Sequence, residues 1–192
     1  MENKNYRFLN TISPVSESLF KRLQNISSFK SFKKDDVVTN FCEVPTKAYL
    51  LVDGVMRAFI QDDDGKEYNK NIFTPMSFVA SFTSLIHNKP SNLCYQALTN
   101  CKTFELDYGM FLSICKEDLQ ASLLYIKVLE RIFVTYEKRN LELLSLDATQ
   151  RYEQLRSRIP NIDALIPQYQ IASYLNITPV QLSRIRNSPQ KN

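Results

Sequence analysis

Three periodicities follow one another along the chain. Near the start, Leu19, Phe20 and Leu23 fall at helical spacing, which predicts a short helix with Ser13 as N-cap and Pro14 in its first turn. From about residue 29 to residue 107 the period drops to two. Ala48 to Val52 is a buried-strand run closed by Asp53 and Gly54, and Val55 to Ile60 alternates. Asp64 and Gly65 form a hairpin dipeptide, after which Tyr68 to Phe73 reads as the returning strand. Tyr95 to Leu98 and Thr103 to Leu106 add two more. Short strands separated by turn signals imply an antiparallel sandwich or barrel.

The second regime is a helix from about Lys116 to Leu144, a stretch without Gly or Pro. Ile126, Leu129, Phe133, Tyr136, Asn140 and Leu143 step by 3-4-3-4-3, a heptad seam. A second stripe, Leu124, Val128, Ile132, Leu141 and Leu144, lies off that seam. Two stripes predict two partners: the β body on one side and the same helix of a second subunit on the other. One wide apolar face inside a monomer is the alternative. Asn140 either sets the register of the pairing or marks where the seam splays into solvent.

The third regime is helical and compact. Asp147 with Gln150 is a capping-box variant opening a helix through Tyr152 and Leu155 that Pro160 stops. Ile162, Leu165 and Ile166 are the apolar positions of the next helix. Pro167 to Leu175 then reads as a helix with Ile171, Ala172 and Leu175 inward. Asn176 provides a left-handed turn, and Ile177 plugs the corner. Thr178 is an N-cap and Pro179 a first-turn proline for a last helix held by Leu182 and Ile185. That order is a helix-turn-helix. Its outward face carries Thr178, Pro179, Gln181, Ser183, Arg184 and Arg186, residue types that suit a major groove. Gln pairs with adenine, Arg with guanine, and Ser, Thr and a helix N-terminus hold phosphates. The competing reading is that Arg184 and Arg186 only solvate a helix end.

Charge sharpens this division. The formal net charge is +4, and residues 146–192 carry six basic and three acidic side chains in a quarter of the length. A basic tail on a near-neutral body suggests a polyanion partner, or simply a solvated surface. Composition, 44% apolar and 23% charged, is that of a globular protein. No run approaches the roughly 20 apolar residues of a membrane span, and the first ten residues have no signal-type apolar core, which predicts a cytoplasmic protein. The cysteines at 42, 94, 101 and 115 match no zinc or iron–sulfur spacing and read as reduced, buried thiols. His87, the one histidine, reads as a surface-loop residue. A catalytic triad or a multi-histidine metal centre has almost nothing to draw on, so no catalytic residue, metal or cofactor is expected.

Several segments together resemble the Crp–Fnr superfamily of bacterial transcription regulators. Phe32 to Val38 is similar to its first β-roll strand, Tyr49 to Arg57 to its aromatic-aliphatic-Gly strand pair, and Asp64 to Glu67 to its hairpin. Ala97 to Cys101 looks like its last strand entry. Ile171-Ala172 through Leu182-Ser183-Arg184-Ile185 is similar to its DNA-binding motif, and Pro167 to Leu175 looks like the short subfamily common in Bacteroidetes-type bacteria. The resemblance implies an α+β fold. Residues 1–115 would form an antiparallel, jelly-roll-like β-roll sensor, 116–145 a dimerisation helix, and 146–192 a small all-α helix-turn-helix domain. The chain's end at Asn192 predicts a reduced or absent wing, hence fewer phosphate contacts and a shallower salt dependence.

The departures bear on mechanism. Members that bind cyclic AMP place Gly-Glu at the start of a short helix and an Arg shortly after. Ala80-Ser81 stands here instead, with Ser91 near the arginine's place. Glycines of the family near 35 and 76 are Asp35 and Met76. A roll without its ribose clamp and charge partner predicts weak or no binding of cyclic AMP. Ser81, Thr83, Ser84, Lys89, Ser91 and Asn92 are the candidates for holding some other, unidentified small ligand; a filled roll serving only as scaffold is the alternative. Pro179-Val180-Gln181 replaces Arg-Glu-Thr at the head of the recognition helix, which predicts a different half-site. The expectation is thus a homodimeric regulator on near-palindromic double-stranded DNA, with RNA polymerase as a further implied partner. A signalling adaptor whose tail binds protein is the rival.

Overall fold

The computed structural model describes residues 3–187. Two short helices lead, α1 (Lys4–Asn10) and α2 (Glu17–Asn25). The first was not legible from spacing. Asn3 caps it, its side chain accepting from the Asn5 N–H. The second starts three residues later than expected: Ser16, not Ser13, is its N-cap, accepting from the Leu19 N–H at 3.2 Å. A helix begun at Glu17 points Leu19 and Leu23 inward together, whereas Ser13 is itself buried in the connector. The Val15 N–H bonds Asn10 Oδ1, which fixes that connector.

The β region holds β1 (Ser27–Phe32), β2 (Val37–Thr39), β3 (Lys47–Asp53), β4 (Met56–Gln61), β5 (Glu67–Phe73), β6 (Ser77–Val79), then α3 (Phe82–His87), β7 (Cys94–Ala97) and β8 (Cys101–Asp107). Two antiparallel sheets result, with strand orders β1-β8-β3-β6 and β2-β7-β4-β5. Tyr49, Leu51, Met56, Ala58, Phe73, Val79 and Tyr95 fill the space between them. The segment Phe32 to Val38 is not one strand. It crosses between sheets at Asp35, whose φ is 72°, with the Lys33 N–H donating to Asp36 Oδ2 at 2.7 Å. Met76, at φ 67°, is left-handed too, so both backbone turns that suit glycine survive with larger side chains. Gly54 has no such latitude: a Cβ there would lie 2.4 Å from the Asn100 carbonyl oxygen.

The long helix is interrupted. α4 (Tyr108–Glu117) ends and α5 (Leu119–Ser145) begins at Asp118, whose carboxylate accepts from the N–H groups of Gln120 and Ala121. An aspartate that suits an N-cap thus restarts the helix inside the expected run. On α5, Ala121, Leu124 and Val128 are buried against the roll, and Ile132 is half-buried there. Leu141 and Leu144, placed by spacing on the same stripe, are exposed instead, because Arg139 and Glu142 take the inward positions over the tail.

The tail is α6 (Ala148–Arg158), α7 (Ile162–Leu165), α8 (Gln168–Leu175) and α9 (Pro179–Asn187). The Asp147–Gln150 capping box forms in both directions. Tyr152, Leu155, Ile162, Ile166, Ile171 and Leu182 make its core, while Leu165, expected inside, is exposed. The expected loss of the wing concerns positions 188–192, which lie outside the described residues. Two cysteines correct the reading of four buried thiols: Cys42 is exposed, in a turn at φ 60°, and Cys115 is half-buried. His87 is exposed as the last residue of α3 and not part of a loop. Among the described residues no helix is long and apolar enough to cross a membrane, and no group of His, Cys, Asp and Glu could hold a metal ion.

Candidate nucleic-acid interface and roll pocket

The helix-turn-helix is built from local signals. Asn176 closes α8 in the left-handed conformation, φ 55° and ψ 47°, and the Ile177 N–H reaches back to the Ala172 carbonyl at 3.1 Å. That bond seats Ile177 against the tail core. Thr178 then caps α9: its hydroxyl accepts from the Gln181 N–H at 3.1 Å, and Gln181 Oε1 accepts from the Thr178 N–H at 2.8 Å. Leu182 is fully buried and Ile185 half-buried, so one face of α9 is held and the other faces solvent.

The six candidate readers are not equivalent. Ser183 and Arg184 lie exposed on the outer face of α9, and Pro179 is exposed at its start. Gln181 is exposed, with its amide oxygen engaged in the cap. Arg186 ties α9 to the tail, its Nε 3.4 Å from Asp163 Oδ1. Asp163 also accepts from the Tyr152 hydroxyl at 2.8 Å. Arg186 is therefore first a strut between α7 and α9.

In the roll, half of the expected pocket residues come together. Ser91 Oγ donates to the Leu93 carbonyl at 2.7 Å and lies 3.0 Å from Ser81 Oγ, which in turn lies 2.9 Å from Ser84 Oγ. All three are buried, and they satisfy one another. Thr83, Lys89 and Asn92 are exposed outside that cluster. Burial pushes the Tyr95 phenol well above the usual range. Tyr136 of α5 faces the same region: Lys70 Nζ sits 4.7 Å above its ring, and burial lowers the lysine's pKa while raising the tyrosine's. Tyr136 thus belongs with its own roll and not with the outer seam. Leu129 is half-buried, while Ile126, Phe133, Asn140 and Leu143 are exposed.

Residues 29–118 match the cyclic nucleotide-binding domain. Solved structures extend the likeness to nearly its whole length. FixK2 from Bradyrhizobium japonicum is 17% identical with a TM-score of 0.69, over 84% of this chain and 83% of that one. CLP from Xanthomonas campestris, a c-di-GMP responsive global regulator, is 14% identical with a TM-score of 0.69, over 88% and 89%. A Eubacterium rectale protein assigned to the crp/fnr family of transcriptional regulators is 15% identical with a TM-score of 0.71, over 95% and 86%. No curated protein matches the chain in sequence. At these identities the likeness is one of fold: a β-roll, a long helix and a helical tail arranged as in those structures.

The contact between the roll and the tail was not anticipated. Arg57 of β4 is buried, with Phe59 stacked 3.8 Å from its guanidinium carbon. It donates through Nε and Nη2 to Gln96 Oε1, and through Nη1 to Asn69 Oδ1 and, across the boundary, to Gln170 Oε1 of α8 at 3.1 Å. Glu67 completes its shell at 2.6 Å. Asn69 Nδ2 also donates to Gln170 Oε1, and the Asn69 N–H to Ser173 Oγ at 2.9 Å. One signal was visible in the sequence: an arginine inside an otherwise apolar strand needs buried partners. A second clamp lies on α5, where Arg139 stacks on Tyr174 and donates to its carbonyl while Glu142 pairs with Arg158 at 2.6 Å. Burial lowers the Arg139 pKa, opposed by Tyr174 and Glu142.

Proposed function

We propose that the protein is a homodimeric, cytoplasmic DNA-binding transcription regulator without catalytic activity. The observation that carries this reading is the tail: cap, left-handed turn, half-buried plug and an α9 whose outer face presents Ser183 and Arg184 to solvent. Such a helix suits a major groove, with Arg184 reading a base edge and Thr178, Pro179 and Ser183 near phosphates. Gln181 contributes through its amide nitrogen, and Arg186 chiefly by bracing α9.

The dimer reading rests on α5. Leu123, Ile126, Phe133, Leu141 and Leu144 are exposed along it, a ridge of the spacing that pairs helices, with Leu143 beside them. Pairing two such helices places recognition helices in successive major grooves, with half-site centres about 34 Å apart. The roll reading rests on the serines. A cluster that bonds to itself offers neither a carboxylate to a ribose nor a cation to a phosphate, so cyclic AMP binds weakly or not at all. Selection of bound sequences from random duplexes with purified protein tests the whole proposal. Enrichment of a near-palindrome is the expected outcome; absence of any enriched duplex would favour an adaptor whose tail binds protein.

A further inference from the structure

We infer that the chamber between the amino-terminal helices, the outer face of the first sheet and α5 is a binding site for a neutral, largely apolar small molecule. The chamber, partly open to solvent, has a volume of about 260 Å³. Its floor is Ala48 and Leu50 of β3, Phe78 of β6, and Phe104 and Leu106 of β8. Side chains alternate along a strand, so Leu51 and Tyr49 point the other way, into the roll with Met56 and Tyr95. The chamber is therefore on the opposite side of the sheet from Tyr95 and the space between the two sheets. Leu9, Leu23, Phe111, Leu124 and Val128 close it from above, and all five are buried.

The lining decides the ligand class. In a chain that is 23% charged, none of the residues around this chamber is Asp, Glu, Lys, Arg or His. A phosphate or carboxylate placed there would be an unpaired ion in apolar surroundings. Nucleotides and fatty-acid anions are thereby excluded. The polar lining is neutral: Asn3, Asn5, Gln24 and Ser27, with the Tyr108 and Tyr125 hydroxyls paired at 2.5 Å. Burial raises the Tyr108 pKa, which keeps that pair uncharged. A hydroxyl, ketone or amide at one end of the ligand finds partners there, and the body lies against aromatic and aliphatic walls. Size narrows it further. An apolar protein cavity of about 150 Å³ takes benzene, so this one takes roughly two fused or linked rings, or a medium-length uncharged acyl chain. Left empty, a space of this size forfeits the dispersion contacts of its whole lining.

Leu124, Tyr125 and Val128 belong to the helix that carries Arg139 and Glu142 to the tail. An occupant therefore bears on the tail, a consequence that rests on the proposed function; the site itself does not. Fluorescence titration with 1-naphthylamine, a neutral probe of two fused rings, tests the site on the full chain without DNA. Saturable binding of one probe per chain is expected, displaced by 1-octanol and not by cyclic AMP. Leu50→Trp and Val128→Phe fill the chamber from opposite walls. Each is expected to weaken the probe by at least about tenfold while the thermal midpoint stays level or rises, because a void is being filled. No saturable binding to the wild type, undiminished binding by both well-folded filled variants, or displacement by cyclic AMP would overturn the proposal. If one variant unfolds, the other and the competition decide.

Discussion

Removing the Gln170 side chain tests whether the tail is held to the roll by the Arg57 network. Gln170 Oε1 accepts from Arg57 Nη1 at 3.1 Å and from Asn69 Nδ2 at 2.6 Å. Arg57, Asn69 and Gln170 are each at most 6% exposed, so water cannot readily replace a lost partner. A hydrogen bond to a charged group contributes about 1.5–3 kcal/mol and a neutral one about 0.5–1.5, so Gln170→Ala should cost about 2–4.5 kcal/mol. Asn69 keeps the Gln170 backbone carbonyl at 2.9 Å, and Arg57 keeps Glu67 and Gln96, which places the expectation in the lower half of that range. Arg57→Met strips five partner contacts at once and should cost about 3–5 kcal/mol, the range for breaking a buried ionic network. The decisive quantity is their coupling. Urea unfolding of both single variants and the double variant should give an interaction energy above about 1 kcal/mol, and hydrogen exchange should quicken selectively in α8. Additivity within about 0.3 kcal/mol, with α8 exchange unchanged, would refute the reasoning.

Other expectations follow from the same geometry. Asp35 is exposed at φ 72° and its backbone makes its local bonds, so Asp35→Gly should stabilise the roll by about 1 kcal/mol, read as a raised thermal midpoint; a lowered midpoint would contradict the strain. Burial lifts the Cys94 thiol from 9.0 to about 11. The unfolded chain therefore loses that proton at lower pH than the folded one. Stability should be intact below pH 9 and decline as pH rises towards 11, partly flattened in Cys94→Val; a flat profile in the wild type would count against the burial. Ellman's reagent should label exposed Cys42 first and reach Cys94 and Cys101 only on unfolding. Phe133, 66% exposed on α5, should tolerate Glu without loss of monomer stability, whereas light scattering should show Phe133→Glu shifted to monomer; an unaltered dimer would place the interface elsewhere.

What the sequence could reveal depended on how local the cause was. The helix-turn-helix was legible because each step has a short-range signal: Asn176 for the turn, Ile177 for the plug, Thr178 and Pro179 for the new helix. Strands β3, β4, β5, β7 and β8 were legible for the same reason, being runs bounded by turn dipeptides. Failures came where a residue had two suitable roles. Ser13 and Ser16 both suit a cap, and only the burial of Leu19 and Leu23 chooses between them. Asp118 is unremarkable in an uninterrupted helical pattern until its carboxylate is seen to restart the helix. Heptad counting put Tyr136 on the outer seam and Leu141 on the inner stripe, because spacing says which residues share a face and not what each face meets. Long-range partners were invisible: nothing near Arg57 in the chain announces Gln170, and nothing near Gln181 says that its oxygen is already engaged. Ser81 and Ser91 were identified as substitutes for a ribose clamp and a cation, but their mutual hydrogen bonds needed coordinates.

The most direct measurement is fluorescence anisotropy with the duplex enriched from a random pool, comparing wild type, Arg184→Ala and Lys30→Ala, the last an exposed cation of β1 far in sequence from α9. Arg184→Ala should lose about 1–3 kcal/mol on the selected duplex and far less on a scrambled one, while Lys30→Ala binds both as the wild type does. Equal affinity of wild type and Arg184→Ala for the selected duplex would contradict the assignment of α9 as the reading helix.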